Sequence, residues 1–282
     1  MKRWLIYGVT GYSGELIARE ACKRGLQPIL AARSPGPLIS LATELNLDYR
    51  CFDLDDVEQV AAQLDGVDVV VNCAGPFSAT AATMLQACLA ARVHYLDITG
   101  EIDVFEHVRS FHGLAVRAGI VLCPGVGFDV VPSDCLALAL KQAMPDATEL
   151  SLAFETYSPP SPGTAKTIVE NLAQRSHARI NGHIVRVPQA WSVRHIDFGS
   201  GPKLAMSLSW GDVSTAFAST GIPNITVYIP APRWLVVAKN GQSHALGAGN
   251  ARGSSHPQEL DHAAHRRTQR FGAQHQARLG LG

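Results

Sequence analysis

The first 125 residues alternate two hydrophobic periods. Short apolar, β-rich runs occur at 4–9, 28–33, 49–53, 67–74, 93–98 and 120–125. Between them, apolar residues recur at helical spacing over 12–24, 38–45, 55–64, 79–91 and 103–118. The run VDVVVNCA is unbroken in its apolarity, as a strand covered on both faces is. Six strand–helix steps in this length predict an α/β fold built on a doubly wound parallel sheet of the Rossmann type. After residue 130 the pattern changes. A helix is predicted over 130–144 and another over 167–175, with a Pro-rich turn at 158–164. Alternating strands are predicted at 149–157, 184–188, 192–198, 204–210 and 224–229, giving an α+β domain with a mixed or antiparallel sheet. The predicted organisation is therefore 1–129, a dinucleotide domain; 130–240, a substrate and dimerisation domain; and 241–282, an anomalous tail.

Composition alters this picture in two places. The chain has 24 basic and 24 acidic residues, so no nucleic-acid footprint is visible. Residues 241–282 nevertheless hold five arginines against Glu259 and Asp261, and five of the eleven histidines. Only four leucines and Phe271 there could enter a core, too few to offset the entropy of ordering. The expectation is a disordered tail or the product of a shifted reading frame. His262 and His265 lack a suitably spaced carboxylate or thiolate partner for a structural metal site, and no metal is predicted. The six cysteines form no C-x-x-C pair and read as reduced thiols. With no signal-peptide pattern and no 18-residue apolar run, the expectation is a cytoplasmic protein without a transmembrane segment.

The strongest chemical signal follows the first strand. Gly8-Val9-Thr10-Gly11-Tyr12-Ser13-Gly14 is a G-x-x-G-x-x-G turn between a strand and a helix. Gly8 suits the tight turn, Gly11 the approach of a pyrophosphate, and Gly14 close helix packing. At the end of the second strand, where NAD-binding folds place an acid for the ribose hydroxyl, stand Arg33 and Ser34. A guanidinium can pair a 2′-phosphate and stack on adenine, so NADP is expected ahead of NAD. Ala74-Gly75-Pro76-Phe77 ends the fourth strand, where the nicotinamide half would run. Cys73 beside it reads as a buried thiol, since no histidine is locally paired with it. Asp97, Thr99 and Asp129 are the catalytic candidates on the same edge. Asp129 and Asp134 fit equally well as helix-capping acids. No tyrosine has a lysine four residues on, which argues against the short-chain dehydrogenase mechanism.

The stretches GVTGYSGELIA, VNCAGPF, HYLDITGE and PGVGFDVVPSDCLA resemble the saccharopine dehydrogenase-like oxidoreductases, and most closely the branch of trans-acting enoyl reductases. Gly163-Thr164, Asp197–Gly199 and Ser219–Asn224 extend the resemblance to about residue 230. It implies an NADP-binding domain, a substrate domain, and hydride transfer to or from a small-molecule or lipid-linked enoyl substrate. Two other readings stand beside it: a regulatory protein that binds NADP without turnover, and an inactive product of a truncated gene.

Overall fold

The computed structural model describes residues 3–157 and 176–237. The predicted turn at 158–164, the predicted helix at 167–175 and the whole of 241–282, with His262 and His265, lie outside the described residues. All described residues fall within one compact unit.

The first sheet has six strands: β1 (Trp4–Tyr7), β2 (Ile29–Ala32), β3 (Tyr49–Cys51), β4 (Val69–Asn72), β5 (His94–Asp97) and β6 (Leu122–Cys123). They are parallel and ordered β3-β2-β1-β4-β5-β6. Successive residues serve opposite faces, as strand geometry requires. Leu5, Tyr7, Ile29, Ala31 and Val70 pack with Val60, Met84, Leu85 and Val104. Ile6, Leu30, Ala32 and Val71 pack with Ala18, Leu38 and Ala42. The sheet is thus covered on both faces by α1 (Tyr12–Lys23), α2 (Pro35–Leu45), α3 (Val57–Gln63), α4 (Phe77–Ala91) and α5 (Ile102–Ser110). Strand order reverses between β1 and β4, and a crevice at the carboxyl ends is the ligand position in such sheets.

The helix predicted over 103–118 is two helices, α5 and α6 (His112–Ala118). Ser110 Oγ donates to His107 O at 2.6 Å, and Phe111 N bonds Val108 O at 3.1 Å, so the last turn tightens. Phe111 then packs on the sheet's core and redirects the chain.

The second sheet contains β7 (Glu149–Ala153), β8 (Ser176–Ile180), β9 (His183–Val187), β10 (Val193–Asp197), β11 (Pro202–Leu208) and β12 (Asn224–Pro230). β12 pairs β7 in parallel and β11 and β8 antiparallel, so the sheet is mixed. It carries α7 (Val131–Ala143) and α8 (Asp212–Thr220), which share a core of Ala137, Leu150, Val213, Ala216, Ile225 and Val227.

Sequence patterning misses β8 and α8. In β8 a central position is Arg179, which is buried yet satisfied: it donates to Val213 O and Gly182 O at 2.7 Å and lies 4.1 Å from the Phe217 ring centroid. The turn Asn181-Gly182, with φ of 49° and 80°, is the dipeptide signal that marks the β8–β9 hairpin. α8 is rich in Ser and Thr, which have poor helix propensity, and its burial overrides that weakness.

Candidate functional site

The predicted site residues lie at the carboxyl edge of the first sheet. Gly8 ends β1 with φ of 86°, and its amide donates to Ala31 O at 2.8 Å. A Cβ at Gly8 would meet Ala74 N at 2.7 Å, so the β1 and β4 loops touch. A Cβ at Gly14 would run into the Gly8 carbonyl oxygen, which fixes α1 tightly against the turn. Gly11 is different. Its φ is −90°, and a Cβ there would meet only Gly8 O, at 3.3 Å. Backbone atoms exclude a side chain at 8 and 14, whereas at Gly11 one close contact would have to yield by a few tenths of an ångström and the φ of −90° suits any residue. It is the N-cap of α1, and no side chain caps that terminus. Thr10 and Tyr12 are exposed and Ser13 half-buried around it. An open helix N-terminus with a small residue at its lip is suited to an anionic group.

The neighbouring helix repeats the arrangement. Ser34 is the N-cap of α2 without a side-chain capping bond. Arg33 beside it is exposed, and its guanidinium makes no hydrogen bond or ion pair with another described residue. Sequence reading places no acid next to Arg33, but the fold brings one close. Burial and Asp53 push the Tyr7 hydroxyl up to about 12, while Arg33 pulls it the other way. Tyr7 Oη donates to Phe52 O at 3.1 Å. Asp53, just past β3, is therefore a neighbour of this end of the crevice that linear spacing hides.

On the far side of the switch point, Asn72 is fully buried and organises the next loop. Its Oδ1 accepts from Ala74 N at 3.1 Å, and Thr80 Oγ1 donates to Ala74 O at 2.6 Å. Gly75 and Pro76 are exposed, and Ala74 and Phe77 half-buried. The α4 terminus is not open. Glu101 accepts from Phe77 N and Ser78 N, both at 2.9 Å. A carboxylate of this chain occupies the anion position there, whereas the α1 and α2 termini, on the side of Arg33, carry no side-chain cap.

The three catalytic candidates separate. Asp97 is fully buried and accepts from Tyr95 Oη (2.6 Å), Thr99 N (3.0 Å) and Gly125 N (2.7 Å). Burial raises its proton affinity, and these donors oppose the shift. Thr99 is also fully buried, and its Oγ1 accepts from Glu101 N at 3.0 Å. Both residues hold the β5 and β6 loops together from below. Asp129 is only half-buried, with its carboxylate against Gly100, where an added Cβ would lie 2.7 Å from Oδ2. Burial raises its proton affinity too. Asp134 is not at this edge: it accepts from Ser219 Oγ at 2.6 Å between α7 and α8. The capping alternative fails for both acids, since the N-cap of α7 is Val130 and no side chain bonds there. Burial, aided by Asp97, pushes the Cys73 thiol up to about 12, which leaves no nucleophilic thiolate.

The sequence model described as Saccharopine dehydrogenase NADP binding domain matches residues 4–123. The match spans the first sheet and the helices that cover it. The chain is 25% identical over 201 residues to a saccharopine dehydrogenase-like oxidoreductase of Arabidopsis thaliana, a match covering 64% of this chain and 40% of that protein. It is 29% identical over 138 residues to a trans-acting enoyl reductase of Mycobacterium tuberculosis, covering 46% of this chain and 33% of the relative. The chain thus spans less than half the length of these relatives. In fold it resembles the L-Glu-forming saccharopine dehydrogenase of Saccharomyces cerevisiae, with a TM-score of 0.61 at 13% identity, over 84% of this chain and 56% of that one. Among the described residues no helix is long and apolar enough to cross a membrane.

Proposed function

We propose that the protein is an NADP-dependent oxidoreductase, with the cofactor laid along the carboxyl edge of the first sheet. The observation that carries this reading is Gly11, exposed at an uncapped helix N-terminus where the backbone conformation does not call for a glycine. Its amides, with Thr10, Tyr12 and Ser13 around them, would hold the pyrophosphate. Arg33 and Ser34 would hold the 2′-phosphate, a charge-assisted contact that NADH cannot make. The nicotinamide half would rest beside Ala74–Phe77, where the loop is held in shape by Asn72 and Thr80.

The cofactor supplies the hydride when bound; the chain's own residues bind, orient and exclude water. Of the three acidic or hydroxyl candidates, Asp129 is the one that is not fully buried, and its raised proton affinity suits a group that would hold a proton near the reacting atoms. The similarity to enoyl reductases makes a small-molecule or lipid-linked enoyl chain the substrate class. The six free thiols and the lack of a spanning helix among the described residues accord with a cytoplasmic enzyme. A second reading, NADP binding without turnover, is favoured by one observation: Asp97 and Thr99 are engaged inward and cannot meet a substrate.

The test is a cofactor titration. Wild type binds NADPH more tightly than NADH, and Arg33→Asp weakens NADPH binding by on the order of 1.5–3 kcal/mol while leaving NADH nearly unchanged. Equal affinity of the wild type for the two cofactors sinks the assignment. Oxidation of NADPH in the presence of enoyl thioesters then separates the enzyme from the non-catalytic binder.

A further inference from the structure

Helices α1, α2 and α4 all begin at the carboxyl edge of the first sheet, each beside a stretch of predicted cofactor residues. The first two N-termini carry no side-chain cap. The third is treated differently. Its own N-cap, Pro76, supplies no capping bond. The cap comes instead from the loop after β5, where Glu101 accepts from Phe77 N through Oε1 and from Ser78 N through Oε2, both at 2.9 Å.

The backbone around Glu101 holds it to this task. Glu101 is itself the N-cap residue of α5, yet its side chain makes no capping bond to that helix. Its amide donates to Thr99 Oγ1 at 3.0 Å, and Thr99 N donates to Asp97 Oδ1 at 3.0 Å. Two successive side-chain turns thus fix the backbone from which the carboxylate springs. Asp97 and Thr99 are fully buried, so this footing is rigid. Glu101 is half-buried, and no lysine or arginine among the described residues forms an ion pair with it. Its charge is felt at the base of the crevice: burial raises the proton affinity of Asp97, and Glu101 adds to the rise.

A fixed charge at this end of the edge discriminates between the two forms of a nicotinamide cofactor. Both forms carry the pyrophosphate and the 2′-phosphate. They differ by one unit of charge on the ring, which is cationic when oxidised and neutral when reduced. A carboxylate beside the ring therefore acts on the oxidised form far more than on the reduced one. Arg33 lies past β2, at the other end of the edge from β5 in the order β3-β2-β1-β4-β5-β6, and would act on a phosphate common to both forms.

We propose that Glu101 is a positioning residue that biases the bound cofactor toward its oxidised form, by fixing a negative charge at the amides of Phe77 and Ser78. This rests on the cofactor reading above, in which the nicotinamide half lies beside Ala74–Phe77. A site that holds the oxidised form more tightly favours hydride transfer away from the cofactor, so Glu101 would set the chain toward reduction. A cap that served only to hold α4 would treat the two forms alike.

The experiment is calorimetric titration of the full chain with NADP⁺, NADPH and 2′,5′-ADP, which lacks the nicotinamide. It uses wild type, Glu101→Gln and Glu101→Asp. The readout is the ratio of the NADP⁺ and NADPH dissociation constants, from which any loss common to both forms through a loosened α4 terminus cancels. Glu101→Gln removes the charge at nearly constant size and is expected to weaken NADP⁺ relative to NADPH by about fivefold or more, with 2′,5′-ADP binding unchanged. Glu101→Asp keeps the charge on a shorter stem and is expected to retain most of the wild-type ratio, even where it weakens both forms. A wild-type ratio in Glu101→Gln overturns the proposal. So does a ratio in Glu101→Asp equal to that in Glu101→Gln, since the shape of the cap and not its charge would then be responsible. Wild type that binds none of the three ligands overturns the cofactor reading itself, and the role of Glu101 falls with it.

Discussion

The two sheets build their polar sites in opposite ways. At the edge of the parallel sheet, recognition groups come from short stretches that each follow one strand: Gly8–Gly14 after β1, Arg33-Ser34 after β2, Ala74–Phe77 after β4. Parallel strands end on one edge, so the topology collects these loops without any side-chain pairing, and backbone amides at helix termini form much of the surface. In the second region the polar groups that matter are side chains paired across long separations. Arg179 reaches Val213 and Glu106, Lys203 reaches Glu155, and Ser219 reaches Asp134. A glycine encodes the first kind of site. The second kind exists only once the chain has folded.

The largest expected effect tests whether the glycines of the first region play separate parts. Gly14→Val places a branched side chain against the Gly8 carbonyl and Val9 Cα, both backbone atoms that cannot yield. The loss is expected at about 4 kcal/mol or more, enough to prevent folding of many domains. Gly11→Val is expected to cost much less, about 1–2 kcal/mol of stability, since its φ of −90° suits any residue and the one close contact, Gly8 O at 3.3 Å, need give only slightly. It should nevertheless abolish NADPH binding. Urea unfolding of both variants with cofactor titration of the second is the check; similar losses of stability would show that Gly11 is structural as well.

Asp97→Ala is expected to rank second. It strips a partner from Tyr95 Oη and from the amides of Thr99 and Gly125, all at the base of the crevice. Unsatisfied buried donors cost about 1–3 kcal/mol each, so a loss of roughly 3 kcal/mol is expected even with some relaxation. Asp97→Asn retains an acceptor for the two amides and should lose much less. If the alanine variant keeps wild-type stability but loses turnover, Asp97 takes part in the chemistry and the structural role assigned to it fails.

The same contrast explains what the sequence discloses. Strand and helix periods, with glycine at the turn, are local quantities, and the whole order of the first sheet follows from them apart from the break at Phe111. The strands are shorter than their apolar runs because Gly8 and Gly125, with φ of 86° and 72°, turn the chain early. The three-way division among Asp97, Thr99 and Asp129 could not be read, because exposure depends on which loops cover them. Asp53 has no local signal, because it comes near Tyr7 only through the pairing of β2 with β3. Asn181-Gly182 was legible as a hairpin turn, yet β8 carries a buried arginine where a strand pattern expects an apolar residue. The contact between Ser219 and Asp134, 85 positions apart, has no local signature at all.

The smallest expected effects concern helix ends, where the two regions again differ. α8 ends on Gly221 with φ of 68°, the left-handed cap that glycine adopts without a Cβ penalty. α4 ends on Arg92 with φ of 57° and the same geometry. For an L-residue with a side chain that conformation costs roughly 1–2 kcal/mol. α4 tolerates it because the helix is buried over Ala81, Met84, Leu85, Ala87 and Cys88, and Val93 N bonds Cys88 O at 2.9 Å just beyond the cap. Arg92→Gly should therefore stabilise the chain, but by only about 0.5–1 kcal/mol, since glycine also adds freedom to the unfolded chain. Gly221→Ala should destabilise by about 1 kcal/mol, because α8 is short and its sequence is helix-poor, so little else compensates a strained cap. Thermal unfolding at fixed pH measures both. A loss on Gly221→Ala that grows with pH as the buried Asp212 ionises would couple the two ends of α8, whereas a constant loss would confine the effect to the cap.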